Sequence, residues 1–528
     1  MKKVRVLDCT LRDGGYCNQW LFGFKNIKKI INNLIESKID IIECGFLTNR
    51  VDYNKDVTRF TTIGQISEVI PKDRQGKLFL CLMNYGEYEI DDIPEYDGTS
   101  VDGIRITFHK KERLEALKFC EKVKEKGYKV FIQGMVSLNY SDEEFIDLIK
   151  RANEFEPYAV YIVDSFGAMK RKDLTRFFYL LENNLKKEIY IGYHAHNNMQ
   201  LAYSNAQVLV DIQSKRNIII DSSVFGMGRG AGNLNTELFV THLNENIGTE
   251  YKLKPLLSII DEVLNDFYNS NYWGYSLPNY LSASYNCHPN YASYLDDKKT
   301  LTVEAMNEIF SMMDNEKKTG FDKLYIEELY VHYMAKDKIY EEHLSELKNI
   351  IANKKILLIA PGKSVQSEKE NIMNFVSSNE VVAISINFDY QHYDTDFIFL
   401  SNLRRFRELD KNEVKRAIVT SNIPAKGVYI QTNYSELLNN VESVKDNAGM
   451  MLIKYLIHIG VKEIYLAGFD GYSHDSTENY AEEQMTMITK NAILDAMNIG
   501  MSIVLTEYSK QIKINFLTKS KFVNIGLN

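Results

Sequence analysis

The 528-residue chain contains only six cysteines, Cys9, Cys17, Cys44, Cys81, Cys120 and Cys287, and no two of them form a Cys-x-x-Cys pair. That spacing argues against a disulfide framework and against a thiolate zinc site. An excess of positive charge is also lacking. With 63 Lys and Arg against 71 Asp and Glu the formal net charge is −8, so no basic surface able to hold nucleic acid is expected. No apolar run approaches the ~20 residues that span a bilayer, and no charged-then-apolar leader is visible at the N-terminus. The expectation is a soluble cytoplasmic protein with neither nucleic-acid nor membrane partners.

What the chain has is length and alternation. It exceeds one ordinary core, so two or more domains are expected, one of which can be a barrel of roughly 250 residues. Eight β-like runs are VRVLDCT (4–10), IDIIECGF (39–46), KLFLCLMNY (77–85), VDGIRITFH (101–109), KVFIQGMVS (129–137), AVYIVDSFG (159–167), IYIGYHAHNN (189–198) and NIIIDSSVFGMG (217–228). Helical patterns lie between them. In FKNIKKIINNLIES, Ile27, Ile30, Ile31, Leu34 and Ile35 recur at helical spacing, and EALKFCEKVKEKG and EEFIDLIKRANEF fill later gaps in the same way. Repeated strand and helix predict an α/β chain with an N-terminal (β/α)8 TIM barrel over 1–245.

In such a barrel the active site is built at the C-terminal ends of the strands. Nearly every run ends in polar residues there. Arg12 and Asp13 follow the first run, Glu43 lies in the second, Arg105 and His109 in the fourth, Gln133 in the fifth, Asp164 and Ser165 in the sixth, His194 and His196 in the seventh. Arg105, Gln133, Asp164 and Ser165 are the candidates for substrate binding.

HAHNN is the sharpest feature. Residues two apart on a strand share a face about 6 to 7 Å apart, so His194 and His196 can converge on one cation. Asp13 adds an anionic oxygen. Two imidazoles and a carboxylate without thiolate suit Mn²⁺, Fe²⁺, Co²⁺, Zn²⁺ or Mg²⁺ and leave positions open for substrate. The glycine run GMGRGAGNLNTE (226–237) follows the eighth strand; its amides can cradle an anion, and Asn233 can supply a ligand oxygen or fix one.

LDCTLRDGG, HAHNN and GMGRGAGN together resemble the DRE-TIM metallolyases, and DSFGAM is similar to their 4-hydroxy-2-oxovalerate aldolase branch. The family also includes 3-hydroxy-3-methylglutaryl-CoA lyase and the isopropylmalate and homocitrate synthases. The resemblance covers roughly residues 1 to 300. It implies that Asp13, His194 and His196 hold a divalent metal, foremost Mn²⁺ or Mg²⁺, with Asn233 close by. It further implies that Arg12 stabilises an enolate oxygen and that Glu43 supports the first loop. At the position where the aldolases carry His and the synthases Gln, this chain has Tyr16, which as a base would need a pKa well below ~10. A second proton-transfer candidate is His288, in the aromatic-rich WGYSLPNYLSASYNCHPNYASYL, a lid, docking or subunit-packing segment. A homo-oligomer is expected.

Residues 246–345 read as a helical connector or lid, with patterns such as LKPLLSIIDEVLNDF. Over 350–528 alternation restarts. KKILLIAPG, VVAISIN, DFIFLSN, RAIVTSN, EIYLAGFDGY and MSIVLTEY read as strands, with helices over AGMMLIKYLIHIG and EEQMTMITKNAILDAMN, which predicts a Rossmann-like doubly wound domain. APGKS (360–364) is not a P-loop, because Leu357 stands where that pattern needs glycine. Strand ends at Pro361, Gly362, Ser364, Asn387 and Asp470 are expected to form a ligand cleft. LLIAPGKSV and AGFDGY faintly resemble glycosyltransferase-like domains that handle nucleotide-activated sugars.

The expected function is a metal-dependent aldolase or synthase acting beside a 2-oxo acid such as pyruvate, with an aldehyde or sugar partner, in unusual carbohydrate-precursor metabolism. A nucleotide-sugar would occupy the C-terminal domain. The alternatives are an acyl-CoA-dependent Claisen synthase and a non-catalytic binding scaffold.

Overall fold

The computed structural model describes residues 3–335, 342–390, 392–482, 485 and 489–523. Residues 336–341 of the expected connector, and 483–484 and 486–488 of the expected helix over EEQMTMITKNAILDAMN, lie outside the described residues. The chain divides into two compact units, Met1–Ser293 with Asp314–Phe321, and Tyr294–Met313 with Asp322–Asn528.

In the first unit eight strands run in parallel: β1 (Val4–Asp8), β2 (Ile41–Leu47), β3 (Leu78–Asn84), β4 (Gly103–Phe108), β5 (Lys129–Gly134), β6 (Ala159–Asp164), β7 (Tyr190–Ala195) and β8 (Ile218–Ser222). Each pairs with its sequence neighbour, and β1 pairs with both β2 and β8, so the sheet closes into a TIM barrel. A two-residue strand, Arg59–Phe60, pairs with the end of β2. The first helix, α1 (Phe24–Glu36), buries Ile27, Ile30, Ile31, Leu34 and Ile35, the stripe that its spacing predicts.

Because side chains alternate along a strand, each strand splits its residues between two cores. One set faces the surrounding helices in a continuous apolar shell that includes Val6, Ile42, Ile104 and Ile132. The other points to the barrel axis, where Leu7, Ile41, Leu80, Phe131, Tyr161 and Ile219 fill the lower layer. Gly192 makes room for Tyr161, whose ring atoms would lie 2.3 Å from a β-carbon there. Two residues further along β2, β4, β5, β7 and β8 come Glu43, Arg105, Gln133, His194 and Asp221, all buried. The apolar layer is thus the floor of a polar one.

The helices between 246 and 335 are divided by the core that each can reach. Leu256, Ile259, Val263 and Leu264 join the shell of the barrel, whereas Tyr330 bonds to Asp446 and Tyr434 in the second unit.

The second unit is built on a parallel sheet of β9 (Lys355–Ile359), β10 (Val381–Ile386), β11 (Phe397–Leu400), β12 (Ala417–Thr420), β13 (Ile430–Thr432), β14 (Glu463–Ala467) and β15 (Lys513–Phe516), in the order β13-β12-β11-β10-β9-β14-β15. MSIVLTEY, expected as a strand, instead lies within the helix Asn491–Tyr508. Its Met501, Val504, Leu505 and Tyr508 are buried at helical spacing and extend a stripe begun at Leu494, so the 3.6-residue period outweighs the local β propensity.

Candidate active site

The first loop is tied down before it reaches the site. Asp8, at the end of β1, accepts from the Thr10 amide at 3.0 Å and from Thr236 Oγ1 at 2.8 Å. Thr10 Oγ1 accepts from the Val224 amide at 2.8 Å, joining the first and last loops. Burial pushes the Asp8 carboxyl up to about 6. A turn follows in which the amides of Arg12 and Asp13 both donate to the Cys9 carbonyl, at 3.1 and 2.8 Å. Trp20 Nε1 donates to the Arg12 carbonyl at 2.8 Å.

From this turn a chain of alternating charge runs across the top of the barrel. Arg12 bonds to Asp13 through Nη1, and through Nε it donates to Glu43 Oε2 at 2.8 Å. The same Glu43 oxygen lies 2.9 Å from Arg105 Nη1, and Arg105 Nη2 bonds to Asp221 Oδ2. That Asp221 oxygen is 3.0 Å from His194 Nδ1. With its amide oxygen turned to the guanidinium, Gln133 accepts from Arg105 Nη2 at 2.8 Å and Nε at 3.2 Å. Each charged side chain in the chain is at least nine-tenths buried. Removing one partner of a buried pair leaves an uncompensated charge, so each link depends on the next.

Both ends of this chain arrive at one point. The ligand atoms of Asp13, His194 and His196 lie within 4.8 Å of one another. With Nδ1 facing Asp221, His194 presents Nε2, the arrangement by which a carboxylate fixes the tautomer of a metal-binding imidazole. Burial drives the His196 pKa down to about 3, which keeps its ring in the neutral form that can ligate. Burial opposes ionisation of Asp13, but Arg12, His196, His194 and Arg229 overcome it and hold the carboxyl well below its usual range. Asn233 Nδ2 donates to Asp13 Oδ2 at 2.6 Å. A β-carbon at Gly228 would lie 2.2 Å from that Asn233 nitrogen and 2.8 Å from Asp13 Oδ2, so the glycine allows the last loop to close over the carboxylate.

These residues fit a divalent cation. His196 Nδ1 and Asn233 Oδ1 are buried with no hydrogen-bond partner, and unpaired buried acceptors are costly unless something binds them. Three carboxylates against two guanidiniums also leave the charge chain one negative charge in excess.

The remaining predicted residues are placed as follows. Arg105 and Gln133 lie inside the polar layer, where Gln133 bonds to Arg105 and Arg105 to the Glu43 and Asp221 carboxylates. The Asp164 carboxylate accepts from the amides of Ala168 and Met169, at 2.9 and 3.0 Å, and shapes the sixth loop; burial raises its pKa to about 7. Ser165 Oγ accepts from the Val136 amide at 2.9 Å. Tyr16 is 43% exposed and packs edge-on against Trp20. His288 Nε2 lies 3.4 Å from Arg229 Nη1, and its Nδ1 accepts from the Asn290 amide at 3.2 Å. Burial, then Arg229, push its pKa down to about 3.

Asp221 and Arg229 were not singled out from sequence. Asp221 is the lone carboxylate in IIIDSS, two residues after the inward-facing Ile219, so strand period could have found it. Arg229 is the one basic side chain of the glycine run. Its contacts are the Ser165 carbonyl at 3.1 Å, His288 and the face of Tyr16 at 5.4 Å, and its Nε is buried without a partner.

Asp221→Asn should weaken metal binding by about 10 to 100-fold while the protein still folds, because an amide keeps the shape but orients His194 less firmly. Metal titration of the apoprotein followed by calorimetry measures this directly. Parental affinity would remove Asp221 from the site.

Residues 3–263 match the HMGL-like family model. A 4-hydroxy-2-oxovalerate aldolase of Shewanella halifaxensis is 28% identical over 244 residues, covering 46% of this chain and 71% of the relative. Among solved structures, the N-terminal domain of a Bacteroides vulgatus protein described as a candidate aldolase is 26% identical with a TM-score of 0.49, covering 57% of this chain and 98% of that one. The HMG-CoA lyase of Brucella melitensis is 17% identical with a TM-score of 0.40, covering 49% and 96%. With the family match, the sequence relative and the buried Asp13, His194 and His196 in agreement, residues 3–263 of this chain are an HMGL-like domain of the DRE-TIM metallolyases.

Proposed function

We propose that this carbon–carbon lyase is a divalent-metal-dependent aldolase that breaks or forms the bond between the carbons α and β to the keto group of a 4-hydroxy-2-oxo acid, with the enolate of a 2-oxo acid such as pyruvate as one half and an aldehyde, sugar aldehydes included, as the other. The observation that carries this reading is the unbroken charge chain from Asp13 to His194, whose two ends meet at one three-ligand point. A bound divalent cation, Mn²⁺ or Mg²⁺ by the hardness of the donors, supplies Lewis acidity toward the carboxylate and keto oxygens of the 2-oxo acid.

The protein's own groups do the rest. Arg12 is held rigidly through Nε and Nη1, which leaves Nη2 for the enolate oxygen, where negative charge develops as the bond breaks. Arg229, bonded to a carbonyl rather than a carboxylate, offers its charge to the anionic part of the substrate at the rim. His288, neutral at pH 7, takes the proton of the substrate's alcohol. Because Arg229 is one cause of its low proton affinity, an anion bound to Arg229 raises that affinity toward the useful range once substrate is in place. Tyr16 packs beside Arg229 and donates a hydrogen bond at the mouth.

The test is metal-dependent consumption of pyruvate in the presence of a panel of aldehydes and sugars, and release of pyruvate from the corresponding 4-hydroxy-2-oxo acids. At least one member should turn over, and His288→Gln should lower kcat by about 10²-fold with metal content unchanged. Turnover only with acetyl-CoA and a 2-oxo acid replaces the aldolase by a Claisen synthase. No turnover with either set, in a metal-loaded protein, leaves a binding scaffold.

A further inference from the structure

The second unit encloses a cavity of about 790 Å³ lined wholly by its own residues, within the size range of small-molecule and cofactor sites. It opens beyond the C-terminal ends of β9, β10, β11 and β14, with Gly362, Asn387, Asn402 and Gly468 on its wall. From β9 the chain builds the sheet outward through β10 to β13 and then returns to place β14 on the other side of β9. The cavity therefore stands at the point where the strand order reverses, where open α/β sheets bind ligands.

The loop after β9 is closed to an anion. Asp470 Oδ2 accepts from the Ser364 amide at 2.7 Å, and Asp470 Oδ1 from Ser364 Oγ. A β-carbon at Gly362 would lie 2.3 Å from the Gly468 carbonyl oxygen and 2.7 Å from Asp470 Cγ, so the two strand ends are packed without space between them. A carboxylate already fills the place that a phosphate would take. Of the strand-end residues expected to form a ligand cleft, Pro361, Gly362, Asn387 and Asp470 line the cavity, whereas Ser364 lies off its wall and bonds to Asp470.

Of the other charged groups on the wall, Lys298, Lys299 and Lys323 pair with Glu327, Asp296 and Glu442, Asp297 pairs with Lys490, and Asp446 accepts from the Tyr330 and Tyr434 hydroxyls. Less compensated positive potential enters the cavity from two other sources. Arg405 lines it and is 9% exposed, and its ion pair is with Glu408 at 3.2 Å, a carboxylate whose own side chain is 63% exposed. The helix α2 (Ala448–His458) begins at the cavity wall, with Asn447, Ala448 and Gly449 all lining it. Asn447 caps the helix by accepting from the Met450 amide at 3.2 Å, and the positive end of an 11-residue helix faces the space. Asn387, at the end of β10 with φ 64°, brings a buried Oδ1 that has no partner. The helix Asn491–Tyr508 supplies an apolar wall of Ile493, Met497 and Met501.

We propose that this cavity binds a nucleotide, its phosphate held by Arg405 and the N-terminus of α2 and its base against the apolar wall. The site is independent of the barrel chemistry.

Calorimetry on the full chain with CMP, UMP, ADP and GDP, the matching nucleosides and inorganic pyrophosphate tests it. At least one nucleotide should bind with a Kd below about 100 μM, with its nucleoside at least about tenfold weaker. Asn447→Asp should weaken that nucleotide by about tenfold or more with unchanged Tm and barrel metal content, because Asp caps a helix as well as Asn but adds a negative charge where the phosphate sits. Arg405→Gln should weaken it similarly. Absence of any nucleotide binding below 1 mM (about −4 kcal/mol), or affinity unchanged in both variants, overturns the proposal. Pyrophosphate binding as tightly as the best nucleotide overturns the base contact and leaves a phosphate site.

Discussion

His196→Ala is expected to yield a folded protein that carries little divalent metal and turns substrate over at least about 10³-fold more slowly than the parent. Losing a direct ligand exceeds the loss of a supporting group, which alone weakens metal binding by about 10 to 100-fold. Lewis-acid stabilisation is worth several kcal/mol, and each 1.36 kcal/mol is a factor of about ten in rate. His196 suits this test better than His194. Its Nδ1 has no hydrogen-bond partner, so truncation orphans no other buried group, whereas removing His194 strips Asp221 Oδ2 of a contact at 3.0 Å. Metal analysis of the purified variant and its thermal unfolding give the two readouts. Full metal occupancy with parental turnover would show that Asp13, His194 and His196 hold no catalytic cation.

Arg12→Lys is the second large effect, an expected loss of about 10² to 10³-fold in kcat with metal content and fold nearly unchanged. Lysine keeps the charge that holds Asp13 ionised, and Glu43 Oε2 still lies 2.9 Å from Arg105 Nη1, so the buried charge chain is not left open. What disappears is the planar fork. An ammonium cannot bond to Glu43, Asp13 and an enolate oxygen from one rigid plane, and the loss of one donor aimed at developing charge is typically worth this much. Steady-state kinetics beside metal analysis decides it: turnover within a few-fold of the parent would take Arg12 out of the reaction.

How far the sequence could be read varies along the chain. The barrel strands were legible because each is a short apolar run ending in polar residues and several are followed by a helix with a clear apolar stripe, as between VRVLDCT and IDIIECGF, although only the single turn Ile63–Ile66 follows β2 and only the turn Ile90–Asp92 follows β3. MSIVLTEY misled because a short apolar run carries no unambiguous period of its own, and only its continuity with Leu494 discloses the helix. The strand Ile430–Thr432 was missed at three residues, too short for alternation to register.

For the site the division is physical. Local pattern determined that Asp13, His194 and His196 stand at strand ends, because a two-residue period and a polar strand terminus are properties of neighbouring residues. It also determined that the barrel would gather such ends at one mouth, since closure follows from eight repeats. Only the tertiary structure decided the partners. Arg105 meets Asp221 across 116 positions of sequence, and Ser364 meets Asp470 across 106, so that Arg105 and Ser364, both expected to face a ligand, are each held by a distant carboxylate. Such pairings depend on strand register, barrel closure and the approach of two loops, where a shift of one residue turns a side chain to the opposite face. Propensity and spacing act over a few residues along the chain, whereas the electrostatics of a buried site are set by which charges the folded backbone brings within about 3 Å, so the candidate ligands can be read from sequence and the partners that position them cannot.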